Sequence, residues 1–131
     1  MKIFIVGLFP ETLSSALETS ILGRSVKNGS ITPVFIKLSD YSVRPTRRVD
    51  DRVYGGGSGT LLQCEPIALA LDEILGNSAE KPEIFVMSPG GEMWMQASAQ
   101  EVANSRKDII ILCGHYEWID ERVIEYYNMR R

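Results

Sequence analysis

KIFIVGLF, from Lys2 to Phe9, is a nearly unbroken apolar run of β-branched and aromatic residues, and its reading decides the fold. A strand with one wet face alternates apolar and polar side chains. A run that stays apolar at consecutive positions belongs to a strand covered on both faces. Two later stretches have the same character, EIFVMSPGG (Glu83 to Gly91) and DIIILCGHYEW (Asp108 to Trp118), each a buried strand running into a glycine turn. ITPVFIKLSD, Ile31 to Asp40, is a fourth β-rich run. Pro33 near its start suggests an edge position, because proline has no N–H to give a neighbouring strand.

Between these runs the period changes. ETLSSALETSILGRSVKNG puts Leu13, Leu17, Ile21 and Leu22 at helical spacing, with a break expected near Gly23 and a left-handed cap at Gly29. CEPIALALDEILG, closed by Gly76, reads as an amphipathic helix, and MQASAQEVANSR and DERVIEYYNM read as two more. Strands alternating with helices imply an α/β domain, doubly wound around a mostly parallel sheet. A length of 131 residues suits one such domain.

Composition narrows the function classes. With 44% hydrophobic and 24% charged residues and no apolar run long enough for a bilayer, no membrane partner is expected. The start MKIFIVGLFPET lacks a signal-peptide cleavage pattern, and Cys64 and Cys113 form no disulfide framework, so the chain reads as cytoplasmic with reduced thiols. A net charge of −3 gives no global attraction for nucleic acid, so any such binding must be local.

One local candidate is the long polar section from Asp40 to Gly59, which carries Arg44, Arg47, Arg48 and Arg52 and shows neither helical nor strand period. It ends in VDDRVYGGGSGTLL. That glycine run has no lysine for a phosphate-binding P-loop, and it lies too far from the first strand for a dinucleotide fingerprint. What remains is a loop with arginine forks suited to phosphates and carboxylates able to accept from a base edge, or else solvated loop charge.

The other candidates lie where an open parallel sheet binds ligands, beyond the carboxyl ends of its strands. Ser88-Pro89-Gly90-Gly91 and Gly114-His115-Tyr116-Glu117 stand there, either as plain turns or as loops whose backbone amides approach a ligand. Cys113 and His115 are too few for a zinc site, which leaves His115 as a turn histidine and Cys113 as a packed thiol. Glu117, Asp120, Glu121 and Arg122 have either a ligand-binding role or form the acidic first turn of the last helix. No complete metal-ligand set is visible.

Three blocks then carry a resemblance: LFPE with ILGRSVKNG, RRVDDRVYGGGSGTLL, and VMSPGG with ILCGHYEWIDERVIE. In order and spacing, over nearly the whole chain, they resemble the bacterial tRNA (guanine-N1)-methyltransferases of the SPOUT class. The resemblance implies a doubly wound domain tied in a trefoil knot, with S-adenosylmethionine bound in bent form by Met87, Ser88, Pro89, Gly90, Gly114, Tyr116 and Glu117. It implies tRNA as substrate, methylated at N1 of the guanine 3′ of the anticodon. Arg48, Asp50, Gly55, Gly56 and Gly57 would face that substrate, and Glu117 and Asp50 would serve catalysis, with the general base expected beyond Arg131. It further implies a homodimer and dependence on a divalent ion such as Mg2+. His115 stands where the family carries Arg, and Trp118 where it carries Gly.

Family members continue past the last helix with a glycine-containing cofactor loop, a linker and a helical tRNA-binding domain. Residues 1–131 are therefore expected to be a partial amino-terminal cofactor domain, incomplete at the carboxyl end and inactive alone. Two rival readings are a cofactor- or RNA-binding domain without catalysis, and an unrelated nucleotide-binding α/β enzyme. The latter requires a phosphate motif that the chain lacks.

Overall fold

The computed structural model describes residues 1–131. Strand β1 (Lys2–Gly7) passes through a 3-10 turn into two short helices, α1 (Ser14–Leu17) and α2 (Ser20–Lys27), and returns as β2 (Thr32–Lys37). A hairpin of β3 (Asp50–Arg52) and β4 (Thr60–Leu62) precedes the long helix α3 (Cys64–Gly76). There follow β5 (Glu83–Met87), α4 (Gln96–Ser105), β6 (Ile109–Cys113), β7 (Trp118–Ile119) and α5 (Glu121–Tyr126).

The apolar runs form one sheet, entirely parallel, in the order β2-β1-β6-β5. Its two central strands are β1 and β6, the most continuous apolar runs of the chain. Successive side chains of a strand point to opposite faces, and here both faces are used. Val6, Ile84, Val86, Ile110 and Leu112 pack with Ile67 and Leu71 of α3 and Val123 and Ile124 of α5. Phe85 and Ile109 turn the other way, against Val102 of α4. Full burial of each such side chain stabilises the fold by about 1.5–3 kcal/mol, which is why the doubly wound reading of the sequence holds. β2 is an edge strand, so Pro33, aligned with Ile3, sits where a missing N–H is tolerated.

Two local readings are corrected. The section between Asp40 and Gly59 contains a strand after all. β3 pairs antiparallel with β4, and β4 pairs parallel with β7, giving a separate three-stranded sheet. Strands of two or three residues are too short to show a period, so pairing across the loop decides them, not pattern. The helical break falls at Glu18–Thr19, ahead of Gly23, which lies inside α2. A Cβ there would collide with the Glu18 carbonyl, so Gly23 permits close approach of α2 to the end of α1. Helix α3 ends at Gly76 as read from the sequence, and Asn77 caps it, its amide N–H donating to the carbonyl of Glu73. Gly29 likewise has φ +76° and ends α2 as expected.

The last residues add to the main sheet. The Val86 N–H donates to the Arg130 carbonyl and the Arg130 N–H to the Ile84 carbonyl, each at 2.8 Å, so the tail runs along the free edge of β5.

Candidate functional site

Because every strand of the main sheet points the same way, their carboxyl ends share one edge. Register aligns Lys37 with Gly7 and Met87 with Cys113. β1 and β6 are adjacent, and a Cβ added at Gly7 would lie 3.4 Å from Cys113, so the two chains run close where they leave the sheet. The loops after Met87 and Cys113 therefore depart side by side.

The first of them is a tight turn. The Gly91 N–H donates to the Ser88 carbonyl at 3.2 Å and the Gly90 N–H to Ser88 Oγ at 3.3 Å. Beneath it opens a cleft of about 700 Å³ lined by Met87, Ser88, Gly90, Phe85, Trp94 and Arg130 among others. The tail closes one side. A Cβ at Gly91 would meet the Arg131 backbone at 2.6 Å, and the Arg130 guanidinium bonds Glu83 at 3.1 Å and Glu101 at 3.0 Å. Sequence reasoning missed both arginines, since nothing local marks a tail that pairs with a strand more than forty residues away.

The second loop faces the hairpin. Of the seven residues marked for a cofactor, Met87, Ser88 and Gly90 line the cleft, whereas Pro89, Gly114, Tyr116 and Glu117 do not. Gly114 faces Ile119, whose Cδ1 would lie 3.2 Å from an added Cβ. His115 packs edge-on against Phe9 and Tyr116, ring centres 5.3 Å apart in each case, as a turn histidine does. Glu117 reaches across to the foot of the glycine loop, where its Oε2 accepts from the Thr60 N–H at 2.9 Å. That bond holds its carboxyl below the usual range. The two loops that sequence treats separately are thus joined.

In the hairpin, the Arg48 fork grips Asp50 through Nε at 3.2 Å and an Nη at 2.6 Å. The hydrogen bonding from Arg48 lowers the Asp50 pKa despite burial of its carboxylate. Burial, and then the Asp50 charge, push the Tyr116 hydroxyl up, which places Tyr116 beside the same pair. Arg44 bonds the Asp51 carboxylate at 2.9 Å and the Asp50 carbonyl at 3.2 Å, and Arg47 pairs with Asp40. Of the four arginines in this section only Arg52 has no carboxylate partner. The apparent basic loop is therefore largely neutralised from within. Gly55, Gly56 and Gly57, with φ between +78° and +120°, form the exposed tip, where an added Cβ would touch nothing but the backbone would be strained.

Beyond the tip, Asp120 caps α5 by accepting from the Arg122 N–H at 3.1 Å and is the one buried charged residue of the chain. Its carboxylate also holds the Arg122 guanidinium, at 2.9 and 2.6 Å. Arg122 in turn bonds the Tyr54 hydroxyl at 2.5 Å and lies over that ring. Both cysteines are free thiols. No group of three or more His, Cys, Asp or Glu side chains is arranged to hold a metal.

Residues 1–130 match the family model described as tRNA (Guanine-1)-methyltransferase TrmD. The chain is 42% identical over 128 residues to the tRNA (guanine-N(1)-)-methyltransferase of Metamycoplasma arthritidis, covering 98% of this chain and 54% of that protein. It is 38% identical over 125 residues to the enzyme of the same name from Ruminiclostridium cellulolyticum, covering 95% and 53% respectively. The crystal structure of tRNA (m1G37) methyltransferase from Aquifex aeolicus superposes with a TM-score of 0.87 at 33% identity, over 99% of this chain and 58% of that one. The chain spans about half the length of the curated relatives it matches.

Proposed function

Because the chain belongs to the tRNA (guanine-1)-methyltransferase family, we propose that the protein carrying it methylates N1 of the guanine 3′ of the anticodon in tRNA, position 37, using S-adenosylmethionine. The observation that carries the reading furthest is the Glu117 to Thr60 hydrogen bond. It makes one site of the strand-end loops and the glycine hairpin.

The residues present fit the cofactor. Gly90 has open space where a side chain would stand, Met87 is exposed beside it, and Glu117 offers an ionised carboxylate near the same edge. Met87, Ser88, Pro89, Gly90, Gly114, Tyr116 and Glu117 are proposed to hold it. When bound, the cofactor supplies an electrophilic methyl on a sulfonium sulfur. The chain's own part is to hold the guanine in line and keep its neighbours charged correctly. Asp50, kept ionised by Arg48, is proposed to serve catalysis by accepting hydrogen bonds from the base edge. Gly55, Gly56 and Gly57 let backbone approach the substrate, with Arg48 beside them. Glu117 positions the glycine loop by its bond to Thr60. The proton from N1 passes to a base proposed to lie beyond Arg131, in a linker followed by the tRNA-binding domain.

Knotting of the carboxyl-terminal segment is proposed, supported by the tail laid along β5. So is a homodimer, for which Phe9, Leu13, Ile21 and Leu22 leave an uncovered apolar face on the α1–α2 side. Cytoplasmic location is part of the same reading. No helix is long and apolar enough to cross a membrane. Dependence on a divalent ion such as Mg2+ is part of the same proposal; such an ion is commonly held by one or two carboxylates together with substrate and water.

Titration calorimetry and a transfer assay test this together. The full-length protein is expected to bind S-adenosylmethionine and to label tRNA carrying guanine after the anticodon. Binding of ATP or NAD in its place, with no transfer, would overturn the reading. Glu117→Ala is expected to lower transfer on the order of 100-fold, the range for misplacing a substrate-positioning element; unchanged transfer removes Glu117 from the site.

A further inference from the structure

A second groove of about 700 Å³ shares no lining residue with the cleft under Ser88. Its lining includes Tyr54, Gly56 and Ser58 from the glycine loop and Trp118, Ile119 and Arg122 from β7 and α5. Tyr54 is 73% exposed and Trp118 60% exposed. Large rings left in water on both contributing segments are unusual for so small a sheet, and neither is needed by the core.

The groove is also built to stay in place. Tyr54 is held by the Arg122 guanidinium, which bonds its hydroxyl at 2.5 Å and lies 5.2 Å from its ring centre. Arg122 is itself fixed by Asp120, whose pKa this pairing lowers. Trp118 is fixed by β7, whose backbone pairs with Leu61, and its Nε1 would stand 3.7 Å from a Cβ at Gly59. Loss of freedom on binding is therefore small at both rings. Arg52, the one loop arginine without a carboxylate partner, leaves the same hairpin at the end of β3.

We propose that this Tyr54–Trp118 groove is a stacking subsite for an unpaired RNA base flanking the methylated guanine. The proposal rests on the tRNA reading above and extends it. Three features select a nucleobase over other occupants. Exposed aromatic faces bind bases with little sequence preference, because every base has a π-face. A free arginine next to them offers a phosphate its planar fork. Above all, Gly56 of the glycine tip proposed to face the substrate itself lines the groove, so a base held there lies against the same loop as the guanine. Trp118 stands where the sequence resemblance expects glycine, so this wall is a property of the present chain.

Tryptophan fluorescence tests the proposal directly, since residues 1–131 hold two tryptophans, Trp94 and Trp118. In the full-length protein with every tryptophan except Trp118 replaced by Phe, titration with an RNA stem-loop bearing guanine 3′ of the anticodon is expected to quench Trp118 by stacking. Trp118→Leu, which keeps apolar bulk without a π-system, is expected to weaken stem-loop binding roughly 5- to 100-fold, the range for one base stack. Trp118→Phe restores most of it. S-adenosylmethionine affinity in both Trp118 variants matches that of the parent protein in which they are made. Methyl transfer with no quenching, and equal RNA affinity in Trp118→Leu, overturns the subsite and leaves the enzyme reading standing. Absence of both RNA binding and transfer overturns both. A Trp118 signal that varies with protein concentration without RNA assigns the groove to a second copy of the chain and overturns the proposal.

Discussion

The two sheets of this molecule are held by different physics. The four-stranded sheet is sealed by side chains with no exposure at all, Val6, Ile110 and Leu112 among them. The three-stranded sheet has strands of two or three residues and depends on directional polar contacts: Arg48 with Asp50, Arg44 with Asp51, Glu117 with Thr60, and the Asp120 cap. Burial is worth much and specifies little about direction, whereas hydrogen bonds are worth little net and fix atoms to a few tenths of an ångström. The small sheet joins the same core through Leu62, and beyond that anchor its geometry is fixed by polar contacts where the large sheet is fixed by burial.

The contrast is broken most severely from the large sheet. Leu112→Ala removes a fully buried side chain from central β6 and is expected to cost about 2–5 kcal/mol in denaturant unfolding. An unchanged unfolding midpoint would mean that β6 does not carry the core. Next comes the hinge between the sheets. Asp120→Ala removes the α5 cap and is expected to cost about 0.5–2 kcal/mol, with Asp120→Asn recovering most of it because asparagine caps as well. If asparagine recovers nothing, the carboxylate charge and not the cap is what matters there.

This difference also explains what could be read in advance. Consecutive apolar residues such as Ile109, Ile110 and Ile111 announce a doubly covered strand, and the parallel sheet follows from their alternation with helices. The strand-end loops at Ser88 and Gly114 follow from that topology. β3 and β7 were not legible, because two or three residues such as Trp118 and Ile119 contain no period. The arginines between Arg44 and Arg52 were seen as a basic loop, but the pairing of Arg47 with Asp40 or Arg44 with Asp51 is a matter of three-dimensional return, and it turns apparent charge into internal neutrality. The Asp120–Arg122–Tyr54 chain was hidden for the same reason. Its one local signal was an aspartate just ahead of a helix.

The smallest expected effect lies in the Arg48–Asp50 pair, and pH gives it a sign. Asp50 has its pKa lowered in the folded chain, chiefly by hydrogen bonding from Arg48. A group of that kind adds stability above its unfolded pKa, about 3.9 for aspartate, and loses it as pH falls through the lower folded value. The pair therefore contributes a constant amount between about pH 5 and pH 8. Arg48 is largely exposed, so solvent screens the interaction and the contribution is smaller than that of the Asp120 cap. Unfolding of the native chain and of Arg48→Ala, followed from pH 7 downward, is expected to show a small constant gap that closes only in the acid range. A gap already absent at pH 7 would mean that Arg48 holds no ionised Asp50 in the native state, and the small sheet would then lack the ionised acceptor on which its contrast with the large one depends.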